Sequence, residues 1–343
     1  MLVEAHFGIV ARRVSTLGRG LINRTYQVEA DDGQNWVLQA VNPIFPPGVN
    51  EDIDAVTGFL AARGIMTPRL RRAVTGAAWV RADGAVWRML SWIDGVGFER
   101  LEGPEQAAEA GRLLGRFHDA LKDFEHRFHN PRLGVHDTAE HLRKLERAIG
   151  EHAGHRFFGD IRPLANDILD AAASLPGLPP LPDRVVHGDP KINNILFGAD
   201  GERALCLVDL DTLGKMPLPL ELGDAFRSWC NLAGEDAFEA RFSTSLFEAA
   251  VAAYAEQTCG WLMEPEWRAI VTATRTIFVE LAARFCADAL HESYFGWDPE
   301  RYKSRSEHNL VRARGQLSAF HACSEQAPEL ERIVEQAFTG DPG

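Results

Sequence analysis

His187-Gly188-Asp189-Pro190-Lys191-Ile192-Asn193-Asn194 stands between two short apolar runs, Val185-Val186 and Ile195-Leu196-Phe197. A second run, Leu207-Val208-Asp209-Leu210-Asp211, begins thirteen residues after Asn194. These residue types suit phosphoryl transfer. That reaction needs a carboxylate to orient an acceptor hydroxyl and take its proton. It needs hard oxygen ligands to hold Mg²⁺ against phosphates, and a nucleotide placed in line with the acceptor. Asp189 fits the first role; Asn194 and Asp209 fit the second. A lone HxD, or a single Asp beside a strand, is more often a turn or a cap. The ordered combination HxDxxxxN, followed by an apolar strand ending in Asp, is what carries chemical weight.

Such residues need a frame. Gly18 to Val28 reads as a strand, a glycine turn and a second strand. Gly18, Gly20, Asn23 and Thr25 lie where such a turn would cover phosphates, because glycine permits the tight turn and lets backbone N–H groups face anionic oxygens. A GxG between strands is by itself only a hairpin signal. Trp36 to Val41 reads as a third strand, residues 50–63 as a helix, and Ala77 to Arg81 with Val86 to Ile93 as a hairpin through Asp83-Gly84. After Pro104 the pattern turns helical: Ala107, Ala110, Leu114, Phe117 and Leu121 recur at helical spacing. Further helices are expected at 138–149, 161–174 and 266–291, and short strands at Val185-Val186 and Leu205 to Leu210. The expected fold class is α+β: a β-rich lobe over residues 1–95 that covers a nucleotide, and a mainly helical lobe over 96–343 that carries catalysis and acceptor binding. The hinge falls near 91–97. There, main-chain groups of Ser91, Trp92 and Ile93 are expected to hold the base of ATP.

Bulk composition narrows the partners. The 343 residues carry a net charge of −13, with Lys and Arg scattered. An acidic surface of this kind disfavours nucleic acid and anionic membranes. The five cysteines, Cys206, Cys230, Cys259, Cys286 and Cys323, form no CxxC pair. That argues against a disulfide framework or a zinc site and for a reducing compartment. The start MLVEAHFGIVARR lacks signal-peptide character, and no run approaches the roughly 20 apolar residues of a membrane helix. The expectation is a cytoplasmic protein.

The loop HGDPKINNILF and the strand LVDLD together resemble the catalytic and metal loops of the aminoglycoside phosphotransferase and choline kinase superfamily. That resemblance implies a two-lobed, protein-kinase-like fold. Leu113 to His118 resembles the helix such kinases carry before the catalytic loop. The segments GRGLINRTYQV, WVLQAVNPIFPPGVN, HGDPKINNILF, LVDLDT, GDAFR and YF…EHNLVRARGQ resemble the N-acetylhexosamine 1-kinases and their relatives. The likeness runs from residue 18 to residue 316 and implies phosphorylation of a sugar at its anomeric hydroxyl. It makes Asp189 the base and Asn194 and Asp209 the Mg²⁺ ligands. It also places Asp211, Thr212, Arg284 and Tyr294 at the substrate; the spacing between Arg284 and Tyr294 is one residue shorter than the relatives' pattern. Arg284 and Asp288, four apart, would share a helix face.

One departure stands out. Protein kinases carry a Lys on the third strand, as in VAIK, facing the nucleotide's phosphates; here that position is Gln39. Gln donates hydrogen bonds but brings no charge. The hexosamine-kinase relatives share this trait, and GTP remains open as donor. Two alternatives stay in view: a phosphotransferase for an aminoglycoside, choline or another small alcohol, and a catalytically silent nucleotide-binding sensor. The EHNLVRARGQ tail favours the sugar reading over the first. The joint presence of Asp189, Asn194 and Asp209 disfavours the second.

Overall fold

The computed structural model describes residues 2–18, 22–131 and 134–340. Gly20, expected in the first turn, lies outside the described residues. The chain opens with a short helix, α1 (Leu2–Phe7). Strands β1 (Ala11–Thr16), β2 (Arg24–Ala30) and β3 (Asn35–Val41) follow, then helix α2 (Val49–Ala62) and the hairpin β4 (Val80–Ala82) and β5 (Ala85–Ser91). These strands form an antiparallel sheet in the order β1-β2-β3-β5-β4. Asp83 and Gly84 both take positive φ, 50° and 75°, as a two-residue hairpin turn of this hand requires.

Side-chain alternation sorts the two faces of the sheet. Val28, Leu38 and Met89 project to one side, where Val3 and Phe7 of α1 pack on them. Val37 and Leu90 project to the other, toward Val49, Ile53 and Val56 of α2. Gln39 and Arg88, paired directly across β3 and β5, share this second face. Neither α1 nor the true extent of β1 was expected. In β1, Arg12 and Arg13 are exposed and apolar alternation is missing.

The helical region contains β6 (Val96–Gly97), α3 (Pro104–Leu121), α4 (Thr138–Glu151), α5 (Phe158–Ala173), β7 (Asp183–Val186), β8 (Ile195–Phe197), β9 (Ala204–Leu207) and β10 (Gly214–Pro217). It ends with α6 (Leu218–Trp229), α7 (Thr244–Thr258), α8 (Glu264–Arg268), α9 (Ile270–His291), α10 (Arg305–Glu325) and α11 (Ala327–Thr339). The fold is thus mixed α+β, with a sheet in the N-terminal region and helices in the C-terminal region. β6 pairs with β8, which pairs with β9, while β7 pairs with β10. The strand expected to run to Leu210 stops at Leu207, because Asp209 adopts a left-handed φ of 62° that no strand accommodates.

The helix expected over 266–291 is broken at Ala269 into α8 and α9. Glu266 anchors the break: its carboxylate takes the Met263 N–H at 3.1 Å and both ends of the Arg184 fork at 3.0 and 2.9 Å. α9 is buried along most of its length, with Ile270, Ile277, Phe278, Phe285 and Ala289 in the core; an apolar helix of this kind is a central core helix. α3 and α7 meet at Gly111, where a Cβ would lie 2.1 Å from the Ala250 carbonyl oxygen. Among the described residues, no helix is long and apolar enough to cross a membrane. All five cysteines are free thiols.

Candidate active site

β7 delivers the loop His187–Asn194, and α6 holds it from beneath. Glu221 of α6, about 1% exposed, accepts the backbone N–H of His187 at 3.0 Å and of Gly188 at 3.1 Å. The same carboxylate lies 3.2 Å from His118 Nε2, and His118 Nδ1 lies 3.0 Å from the Tyr254 hydroxyl. Ser228 Oγ accepts the Ile192 N–H at 3.1 Å, and the Trp229 indole donates to the Pro190 carbonyl at 2.9 Å. Gly188 is required twice over. Its φ is +83°, and a Cβ there would sit 2.2 Å from the Thr212 carbonyl oxygen. His187 Nε2 donates to the Val208 carbonyl at 2.9 Å, joining this loop to the segment after β9. His118, buried and bonded to Glu221 and Tyr254, thus belongs to the loop's support.

Asp189 and its neighbours form a compact constellation. Asp189 Oδ2 accepts from Lys191 Nζ at 2.7 Å and from Asn194 Nδ2 at 3.1 Å, and Asn194 Nδ2 also donates to the Asp189 carbonyl at 2.8 Å. Burial pushes the Asp189 carboxyl up, but the charge and hydrogen bond of Lys191, aided by His187 and Arg227, outweigh it and hold the group below its ordinary range. Burial likewise pulls Lys191 down, and Asp189 with Asp209 more than restores it. Asp209 shifts the other way. Burial, then repulsion from Asp211 and Asp189, raise its pKa. A carboxylate strained toward protonation by neighbouring carboxylates is a place where a cation is favoured.

The residues fit a divalent cation of the Mg²⁺ kind. With its amide nitrogen committed to Asp189, Asn194 keeps its amide oxygen as a hard donor, and Asp209 offers a carboxylate; these two would hold the ion. No group of three or more His, Cys, Asp or Glu side chains placed to hold a metal occurs among the described residues. Mg²⁺ sites characteristically use one or two carboxylates and let phosphates and water complete the shell.

Several expected contacts are redirected. Asp211, placed at the substrate by sequence, is fully buried and bonded by both Arg88 Nη groups and by Asn23 Nδ2. Asn23 Oδ1 accepts the Asn42 N–H at 2.9 Å. Gln39 Nε2 donates to Thr25 Oγ1 at 3.1 Å, while its oxygen accepts Arg88 Nε at 2.8 Å. The polar side chains of Asn23, Thr25 and Gln39 are therefore bonded within the protein, and Gly18 takes a φ of +67°. In the hinge, the Ser91 N–H already donates to the Arg69 carbonyl at 2.8 Å, and Trp92 Nε1 donates to Asp94 at 2.7 Å.

Thr212 packs its carbonyl against Gly188, and its buried hydroxyl has no hydrogen-bond partner among the described residues. Arg284 lies on α9, 3.7 Å from Glu280 rather than paired with Asp288, with its guanidinium 5.7 Å from the centroid of the Phe295 ring. Glu280 also accepts from His136 at 2.9 Å and Thr138 at 2.7 Å. Asp288 instead takes the N–H groups of Ser293, Tyr294 and Phe295 and the side chain of Asn309, because α9 ends in a turn whose donors need an acceptor. Tyr294 is 72% exposed, its ring edge-on to Phe295.

The EHNLVRARGQ segment forms much of α10. There His308 and Arg312 bind Asp236 at 2.8 and 2.7 Å, and Arg312 also donates to the Gly296 carbonyl at 2.8 Å. Sequence reasoning passed over Lys191, Glu221 and Arg88. Lys191 had a signal, since it lies inside the motif two residues from Asp189; the other two are defined by partners far away in the chain.

A sheet-bearing N-terminal region joined to a helical region, with an HxDxxxxN loop and Asp209 on the segment after β9, is the arrangement of a kinase-like phosphotransferase. The chain belongs to the phosphotransferase enzyme family, whose model matches residues 13–260. Solved structures share the fold. An aminoglycoside phosphotransferase from Alicyclobacillus acidocaldarius is 14% identical, with 93% of each chain covered and a TM-score of 0.58. Amicoumacin kinase hAmiN, in complex with AMP-PNP, Ca²⁺ and Ami, is 13% identical, covering 99% of this chain and 92% of its own, with a TM-score of 0.59. A choline/ethanolamine kinase family protein from Mesorhizobium loti is 18% identical, covering 96% and 93%, with a TM-score of 0.53.

Proposed function

We propose that this phosphotransferase moves the γ-phosphoryl group of ATP to a hydroxyl of a sugar, specifically the anomeric hydroxyl of an N-acetylhexosamine or a related sugar. The observation that carries the reading is the Asp189 carboxylate, held in its ionised form by Lys191 and Asn194 on a loop fixed by α6. Asp189 accepts the hydroxyl proton as the oxygen attacks phosphorus. Lys191, next to that carboxylate, offers positive charge to the phosphoryl oxygens. Asn194 and Asp209 would hold the metal, which when bound would supply positive charge to the nucleotide's phosphates. Thr212, whose hydroxyl lacks a partner among the described residues, offers the acceptor a hydrogen bond. Trp92 and Ile93 hold the base, residues 1–95 form the nucleotide-covering lobe and 96–343 the catalytic lobe, and the enzyme works in the cytoplasm.

A cationic acceptor, an aminoglycoside or an amino alcohol such as choline, is the competing reading, and the names of the structural neighbours support it. The region around α9 and α10 favours the neutral sugar. Glu280 is paired by His136 and Arg284, Asp236 by His308 and Arg312, and Asp288 by backbone donors. These carboxylates are committed within the protein rather than left to meet a polycation. Arg284 beside Phe295 offers a donor over an apolar ring, a pairing suited to hydroxyl and ring face. The test is ADP release with Mg-ATP against free N-acetylhexosamines, their methyl glycosides, aminoglycosides and choline. Turnover with a free sugar, abolished by anomeric methylation, supports the proposal. Turnover with the amines alone replaces it.

A further inference from the structure

Arg88 on β5 and Asp211, two residues beyond Asp209, are both about 1% exposed and ion-paired between the N-terminal sheet and the metal loop. The pair is a two-point fork: Arg88 Nη1 meets Oδ1, and Nη2 meets Oδ2 at 2.8 Å. Around it, every polar neighbour is bonded in turn. Arg88 Nε donates to Gln39 on β3 at 2.8 Å, Nη1 lies 3.5 Å from Asn50 on α2, and Asn23, just before β2, donates to Asp211 Oδ2. Thus β2, β3, β5 and α2 all reach the metal loop through one carboxylate. Gln39 stands where a charged strand residue would be expected, and its cross-strand partner Arg88 carries a charge that is turned to Asp211.

We propose that Arg88, acting through Asp211, is the positioning residue that fixes the metal loop and Asp209 against the sheet covering the nucleotide. The proposal rests on the phosphoryl-transfer reading of Asp189 and Asp209. Two physical points separate it from a role in stability alone. A buried ion pair is weak as a stabiliser, since desolvating both charges offsets most of their attraction, and apolar residues of similar size replace such pairs at little cost to the fold. A planar fork bonding two carboxylate oxygens fixes orientation as well as distance, which an ammonium does not.

The test uses the full chain as the variant Arg88→Met with Asp211→Leu, which removes both charges together. Melting temperature, kcat, KM and the affinity for AMP-PNP with and without Mg²⁺ are compared with those of the native chain. The expected result is a folded protein whose kcat falls by about 100-fold, as displacement of reacting groups by about 1 Å produces. The gain in nucleotide affinity that Mg²⁺ brings should shrink by roughly tenfold, with acceptor KM little changed. A folded double variant with native kcat and native Mg²⁺-linked affinity overturns the proposal. Arg88→Lys decides the matter if the double variant does not fold: the charge remains but the fork is lost, so kcat and Mg²⁺ linkage must both fall, and native values of both overturn the proposal. A native chain that phosphorylates no acceptor refutes the function reading, while the Mg²⁺-linked affinity still decides the role of Arg88.

Discussion

At the scale of single residues, the Asp189 carboxylate is held down chiefly by Lys191, with His187 and Arg227 assisting. Lys191 Nζ lies 2.7 Å from Asp189 Oδ2 and lowers its pKa against the opposing pull of burial. The base is active when ionised, so activity should fall as pH drops through this pKa. Lys191→Met removes the lowering influence, and the acid limb of kcat/KM against pH should then move to higher pH; an unmoved limb would assign that limb to another group. Asp209→Asn is expected to raise the Mg²⁺ concentration for half-maximal activity while leaving the fold intact, measured by metal titration at saturating ATP. Unaltered metal dependence would place the ion elsewhere. Asp189, Asn194 and Asp209 stand out in the sequence because they fall in one ordered pattern, from which the roles proposed for them follow. The true duties of Asn23, Gln39 and Asp211 were not, since their bonds span up to 188 residues of chain. A sequence shows Gln39 without charge but does not show that Arg88 opposes it.

At the scale of elements, α6 is the cradle of the catalytic loop. Glu221 accepts two consecutive backbone N–H groups that strand pairing leaves without acceptors. Glu221→Gln replaces one acceptor oxygen by a donor and leaves a buried N–H unsatisfied. It should cost about 1–3 kcal/mol of stability and lower kcat more than it raises the KM for ATP, read by denaturant unfolding and steady-state kinetics. Normal kcat in a destabilised variant would make the cradle purely structural.

The loop after α6 is tied to α10 through Asp236. Burial raises the Asp236 carboxyl, but the hydrogen bonds from His308 and Arg312 dominate and depress it well below the ordinary carboxylate range. A depressed folded pKa stabilises above the unfolded value, and that contribution disappears as pH falls through the folded one. Asp236→Asn should therefore lower the melting temperature at pH 7 by roughly 2–4 °C for about 1 kcal/mol lost, with the gap to the native chain closing in strong acid. A gap independent of pH would show that ionisation of Asp236 is not what holds the loop. Helical periodicity made α3 legible. β10 and the break at Ala269 were not, because Gly214-Lys215-Met216-Pro217 carries no strand pattern and Glu266 breaks the helix through distant Arg184.

At the scale of the whole molecule, one large core is shared by the N-terminal and helical regions and a small one lies on the other face of the sheet. The small core lies between α1 and the outer face of the sheet. The large core runs from α2 through the helical region. The contrast between β-rich and helical halves was visible as a change of periodicity near residue 100. The EHNLVRARGQ motif was visible in the sequence, but its bonds to Asp236 and Asp288 from α10 were not. The account of the molecule turns on Asp189 as the group that takes the acceptor's proton. Its most direct test is Asp189→Asn, followed by phosphoester formation under single-turnover conditions alongside AMP-PNP affinity in the presence of Mg²⁺. The predicted result is a folded protein with nucleotide affinity close to native and a transfer rate lower by about 10²–10⁴. A variant that transfers phosphate at near-native rate would contradict the account.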